Sequence, residues 1–399
     1  MSETIIRVAA RGDGVTASGR HIALAAPGDV VDDAGIVHPG PHRQAPQCPH
    51  FPRCGGCQLQ HLDDTAYADF VRDRIAGALD AQGLTADIRP PLLSPPRSRR
   101  RASLHAERKG AKIILGFSEA GSHALVDIRD CAILHPALMA LVAPLRALLR
   151  DVMPPRGRVE VRLTLVDQGV DVLLIGVTAD GLTAAEALAA YAAEHRLARL
   201  AIDTGLGPET RWEPMAATIT LGGVPVGFPH GSFLQPTEAG EAALAAAVSE
   251  TIGDAATVAD LFSGLGTFAL ALAKPGRKIY AAEAARDAAL ASKLAGAARN
   301  VFVDHRDLYR RPLSRAELNR FDAIVLDPPR AGAREQAIEL AASNVATIAY
   351  VSCNPSSFAR DVKIMCEQSY AIDWIQPVGQ FRWSTHVELA ARLSRPTQG

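Results

Sequence analysis

The chain has 399 residues, 48% of them hydrophobic and 21% charged, which is ordinary for a soluble globular protein of about two or three domains. A formal net charge of -1 excludes a global cationic field, so any nucleic-acid binding must rest on a local basic patch. No apolar run approaches the ~20 residues of a membrane span, so no membrane partner is expected.

Met1-Ser2-Glu3-Thr4 lacks the basic and apolar regions of a secretion signal, and a cytoplasmic location is expected. Residues 5–31 read as short strands separated by glycine turns, the spacing of a small antiparallel β-barrel. The Pro/Gly/His-rich stretch 38–47 reads as a linker. "CPHFPRCGGC" then places Cys48, Cys54 and Cys57 close together, and Cys131 follows in "VDIRDCAILHP". Six cysteines in so long a chain do not make a secreted disulfide scaffold. Four thiolates with one C-x2-C pair can hold a tetrahedral zinc or an iron–sulfur cluster, and spacing does not separate the two. Gly55-Gly56 permits the tight turn that lets neighbouring thiolates converge.

Tyr67, Phe70, Val71, Ile75 and Leu79 recur at helical spacing over 65–83. The segment after it carries Arg97, Arg99, Arg100, Arg101, Arg108, Lys109 and Lys112 against Glu107 alone, a candidate phosphate-binding patch or a solvated charged loop. "RVEVRLTLVD" and "VDVLLIGVT" look like paired strands, and 183–195 is Ala-rich and helical.

From 237 onward a helix over 238–251 leads into alternating strands and helices, the pattern of a doubly wound α/β sheet. Strands are expected at Val258–Phe262, Lys278–Glu283, Val301–Asp304, Phe321–Asp327 and Ile348–Cys353. "VADLFSGLGTFALALA" puts an acid at a strand end, then Gly264 and Gly266, then a helix whose N-terminus faces a ligand. Glu283 stands where an acid can hold both ribose hydroxyls. Asp327 is followed by two prolines, which deny a helical continuation and expose it at the sheet edge. Against a nicotinamide dinucleotide, the third glycine of G-x-G-x-x-G is replaced by Ala269. The acids at strand ends resemble those of class I S-adenosylmethionine-dependent methyltransferases.

The ensemble is more specific than its parts. "FLQPT", "DLFSGLGTF", "VLDPPRAG", "VSCNPSSFARD" and "HVELAARL", together with the cysteine pattern, resemble the RNA 5-methyluridine methyltransferases over nearly the whole chain. The resemblance implies a TRAM-like, OB-like RNA-binding barrel over 1–45. It implies an α+β central domain over 46–236 that carries a [4Fe-4S] cluster on Cys48, Cys54, Cys57 and Cys131. A Rossmann-like class I catalytic domain would fill 237–399. By motif position, Gln235, Phe262, Gly264, Gly266, Thr267, Glu283, Asp307 and Asp327 are then cofactor-binding, Cys353 is the nucleophile and Glu388 the general base. The expected partner is RNA, ribosomal before transfer RNA, and the chain is expected to act as a monomer. The chain departs from the family pattern at Gln235-Pro236-Thr237, at Ser263, and across "GQFRWSTHVE", which begins at Gly379. Cys366 lacks any such context and reads as structural. Loss of Cys353, Glu388 or the Gly264–Gly266 turn would mark a non-catalytic RNA-binding protein, and all are present.

Overall fold

Five short strands open the chain: Glu3–Val8, Gly14–Thr16, His21–Ile22, Val30–Val31 and Val37–His38. The computed structural model describes residues 2–179 and 181–395, and in it these strands form one antiparallel sheet centred on Glu3–Val8. The outer strands, His21–Ile22 and Val37–His38, are not neighbours, so the expected barrel is an open sheet. Strands of two residues offer too few ladder bonds to close one. The core here is small, Ile5, Ala25 and Val31. Asp29 is fully buried, and is satisfied by Arg43 Nη2 at 2.5 Å and by the N–H groups of Ala26 and Gly40, each at 2.7 Å. Gly40 lies on the backbone of Gly28, where a Cβ would come within 2.2 Å. The stretch expected as a linker is therefore pinned to the sheet.

A seven-stranded sheet follows, ordered Pro208–Trp212, Arg199–Asp203, Gly169–Ile175, Arg158–Val166, Arg101–Lys109, Lys112–Ser118 and Leu125–Asp127. Arg158–Val166 and Gly169–Ile175 pair antiparallel with Leu163 opposite Val172, as their alternation predicts. Helices Pro136–Val152 and Leu182–Glu194 pack on this sheet and on each other.

The eight-stranded sheet carries the site. Its order is Val301–His305, Lys278–Glu283, Thr257–Leu261, Ala323–Leu326, Thr347–Ser352, Glu388–Ser394, Ala371–Gly379 and Leu92–Leu93. The first five strands are parallel, and Glu388–Ser394 is inserted antiparallel between Thr347–Ser352 and Ala371–Gly379. A reversed hairpin of this kind is foreign to the dinucleotide-binding strand order. The helix Asp64–Asp80 begins at Asp63, whose side chain accepts from the Ala66 N–H at 2.8 Å. Its buried stripe of Tyr67, Phe70, Val71, Ile75 and Leu79 packs on Pro355–Cys366 and Ala371–Gly379. Each such side chain contributes roughly 1.5–3 kcal/mol when taken out of water. Residues 64–93 thus pack with the eight-stranded sheet, although they precede the middle sheet in the chain.

Candidate active site

Strand direction brings the two reactive candidates together. Thr347–Ser352 ends where the antiparallel Glu388–Ser394 begins, with Ser352 opposite Leu389. Cys353, the first residue beyond one strand, and Glu388, the first of the other, therefore share the carboxyl edge of the sheet. Asn354 caps the next helix, accepting from the Ser356 N–H at 3.1 Å, and Pro355 sits at its first position. Cys353 is held half-buried between these elements. Asp327 is the first residue beyond Ala323–Leu326 on the same edge.

These groups crowd one another with negative charge. Burial pushes Glu388, only 4% exposed, up to about 7, and a hydrogen bond from Gln380 opposes the shift. Burial, then the charges of Glu388 and Asp260, hold Asp327 well above the carboxylate range. Burial, then Glu388 and Asp327, push the Cys353 thiol up to about 11, while Arg330 pulls it down. At neutral pH the edge thus holds a protonated thiol beside a carboxyl that can exchange a proton.

The neighbouring switch point lies between Thr257–Leu261 and Ala323–Leu326, where the strand order reverses and ligands of open α/β sheets bind. Phe262 turns the chain at φ 64°, a conformation that L residues seldom adopt. Gly266 follows at φ 89°, and a Cβ there would lie 2.6 Å from Ser292 Oγ. Glu283 Oε2 accepts from the Gly264 N–H at 2.8 Å, and Thr267 opens the helix Thr267–Leu272. The Phe262 and Tyr309 rings lie 5.4 Å apart, and Asp307 accepts from the Tyr309 N–H at 3.0 Å. Gln235 arrives from the other side, buried, with Oε1 accepting from Gln380 Nε2 at 2.8 Å. Phe262, Gly264, Gly266, Thr267 and Glu283 thus gather at the turn after Thr257–Leu261, and Asp307 joins them through Tyr309.

Cys48, Cys54, Cys57 and Cys131 line a common pocket with Phe117 and Ile133. Gly55 seats the turn on strand Lys112–Ser118, its N–H donating to Ser118 O at 2.9 Å. Burial pushes Cys57 up to about 12, and the other three thiols add to the rise. Among the described residues, no three His, Cys, Asp or Glu side chains converge closely enough for a single metal ion.

The tRNA (uracil-5-)-methyltransferase family model matches residues 225–396. An RNA methyltransferase of Zymomonas mobilis is 48% identical over 98% of this chain and 99% of its own length. The 23S rRNA (uracil(1939)-C(5))-methyltransferase RlmD of Shewanella piezotolerans is 31% identical over 88% of this chain and 81% of its own. The chain belongs to the RNA uracil-5-methyltransferase family. The fold of the methyltransferase also matches the Pyrococcus abyssi tRNA (uracil-54, C5)-methyltransferase solved with S-adenosyl-L-homocysteine. The TM-score is 0.77 at 23% identity, covering 98% of this chain and 99% of the other.

In this methyltransferase part of the arginine-rich segment is an internal brace, while Arg97, Lys109 and Lys112 stay exposed. Arg100 is 3% exposed, bonding Gln235 O at 3.0 Å and Glu241 at 2.5 Å. Arg101 bonds Leu234 O at 2.9 Å, and its guanidinium lies 4.8 Å from the centre of the Phe233 ring. Arg97 pairs with Asp130, Lys112 with Asp127, and Arg108 with the carbonyl of Arg150. The partners lie far along the chain, so the charge run alone does not disclose them. Asp260, the acid read at the end of the first strand, is fully buried and accepts from the Ala269 N–H at 2.8 Å beneath the glycine turn. One site residue escaped the sequence reading. Gln380 falls within the stretch that departs from the family pattern, and nothing in the sequence marks it.

Proposed function

We propose that the chain methylates carbon 5 of a uridine in RNA, 23S ribosomal RNA before transfer RNA, through a covalent bond from Cys353 to carbon 6. The observation that carries this is the pairing of Cys353 and Glu388 at one sheet edge, beside the glycine turn. Ribosomal RNA is favoured by the Shewanella relative, and transfer RNA by the description of the family model. S-adenosylmethionine supplies an electrophilic methyl group when bound, and Gln235, Phe262, Gly264, Gly266, Thr267, Glu283, Asp307 and Asp327 are proposed to hold it.

Carbon 5 of uracil is a poor nucleophile. The Cys353 thiol gives its proton to solvent, the thiolate adds to carbon 6, and the resulting enolate makes carbon 5 nucleophilic. Carbon 5 would take the methyl group as the methyl–sulfonium bond breaks, its electron pair staying on the donor's sulfur as a neutral thioether. Glu388 then removes the proton from carbon 5, the C6–S bond breaks, and the C5–C6 double bond returns with the thiolate released. A target uridine must leave its stack to reach this edge. Residues 1–45 and 46–236 are proposed to present the RNA to the catalytic part, 237–399.

The cysteine pocket suits a [4Fe-4S] cluster held by Cys48, Cys54, Cys57 and Cys131. All four cysteines line this one pocket, and the family resemblance, not their spacing, favours iron–sulfur over zinc. The group would act as a fourfold thiolate staple. The decisive test is Cys353→Ala with RNA containing 5-fluorouridine. Methylation and the denaturant-stable adduct are both expected to vanish, and survival of the adduct overturns the nucleophile. Loss of 5-methyluridine from ribosomal RNA in a strain lacking the gene identifies the target RNA class.

A further inference from the structure

We propose that Gln380 is the positioning residue of the base: its carboxamide fixes the carboxyl of Glu388, links it to Gln235, and sets the pH at which the base works. This rests on the role of Glu388 given above. Gln380 is 2% exposed, Gln235 2% and Glu388 4%, so the three polar side chains form one buried chain. Gln380 Nε2 donates to Glu388 Oε2 and also to Gln235 Oε1 at 2.8 Å. The carboxamide turns its NH2 toward an oxygen of each neighbour, the orientation that favours an ionised Glu388. The bond occupies Oε2 and leaves Oε1 to receive the proton from carbon 5.

The surroundings hold this arrangement. A Cβ on Gly240 would lie 2.5 Å from Gln380 Oε1 and 2.6 Å from its Cβ, so the first turn of helix Glu238–Ile252 has room only for glycine there. Gln235 is fixed in turn by Arg100, whose Nε donates to its carbonyl at 3.0 Å. The titratable groups facing Glu388 are Asp327 from one strand end and Cys353 from the adjacent one. Both are negative when ionised and disfavour a charged base. His386 lies two residues away on the same loop, with the charges of Arg330 and Arg99 acting on it. The hydrogen bond of Gln380 is what opposes burial at Glu388.

The test is the full-length protein with Gln380→Met, which keeps the volume and removes the donor. Single-turnover methylation is followed from pH 6 to pH 9 on substrate RNA, about one unit or more on either side of neutrality. The limb that reports adduct breakdown is expected to move up by about one pH unit, with about tenfold more covalent protein–RNA species near pH 7. Adduct formation with 5-fluorouridine RNA stays near wild type. Gly240→Ala, which crowds the Gln380 oxygen, is expected to move the limb in the same direction. If Gln380→Met does not fold, Gly240→Ala decides alone. Isotope-edited infrared titration of the Glu388 carboxyl, without RNA, is expected to show the same rise. An unmoved limb and an unmoved infrared titration overturn the proposal. Glu388→Gln is run in parallel. If it traps the adduct while Gln380→Met and Gly240→Ala match wild type, the Gln380 role alone falls. If Glu388→Gln turns over normally, the base assignment falls and the proposal with it.

Discussion

Glu388 and Asp260 show at the residue scale what a reactive edge costs the fold. Burial lifts Glu388 from 4.5 to about 7 and Asp260 from 3.8 to about 7. For a raised acid, the folded state binds the proton more tightly than the unfolded chain. The contribution to stability is full below about pH 4 and is lost as pH rises through about 7. Thermal unfolding is therefore expected to show lower stability at pH 8 than at pH 5. Glu388→Gln should recover up to about 3 kcal/mol of that difference while it blocks release of the methylated RNA. A variant no more stable at pH 8 than wild type would contradict the raised carboxyl. At this scale Cys353 and Glu388 could be singled out as candidates from the sequence, because local motifs surround them. Gln380 was not, because its partner Gln235 lies 145 residues away. The Arg100–Glu241 pair, 141 residues apart, was hidden in the same manner.

At the scale of elements, expected strand ends were displaced by a residue or so, and the displacement has a cause. Apolar patterning continues through Phe262, but the backbone turns there at φ 64°. Asp327 and Cys353 likewise fall just past their strands, since Pro328 and Pro355 cannot extend a ladder. The proposed site residues sit in these first positions after the strands, where periodicity carries no signal. Gly266→Ala places a Cβ against Ser292 Oγ and strains a left-handed residue, so it should cost about 1–3 kcal/mol in urea unfolding. It should also weaken S-adenosylmethionine binding measured by calorimetry. Thr237 caps helix Glu238–Ile252, and its hydroxyl lies 2.7 Å from that of Ser94. Thr237→Ala is expected to cost about 1–2 kcal/mol, read in the same unfolding experiment.

Across the whole molecule, the cysteine turn is joined to the loop that leads to the proposed base, Glu388. The N–H groups of Gln58 and Leu59 both donate to Trp383 O at 2.9 Å, and Trp383 is fully buried. Cys57→Ser and Cys131→Ser should abolish bound iron and the visible absorbance of anaerobically purified protein. They should also raise hydrogen exchange over 380–387, because a metal staple contributes folding energy to what it holds. Unchanged exchange there would show the two regions to be independent. The doubly wound pattern was legible in the sequence because each strand repeats it locally. The edge strand Leu92–Leu93 was not, being two residues whose partner, Ala371–Gly379, lies near the other end of the chain.

That pairing bears on the timing of synthesis. The helix Asp64–Asp80 and its edge strand leave the ribosome early, yet the strands that cover them are made last. At ordinary translation rates the apolar stripe of Tyr67, Phe70 and Ile75 waits on the order of tens of seconds for a partner. A nascent chain paused before residue 371 is an exposed hydrophobic surface awaiting its lid, a state that a chaperone would be needed to shelter.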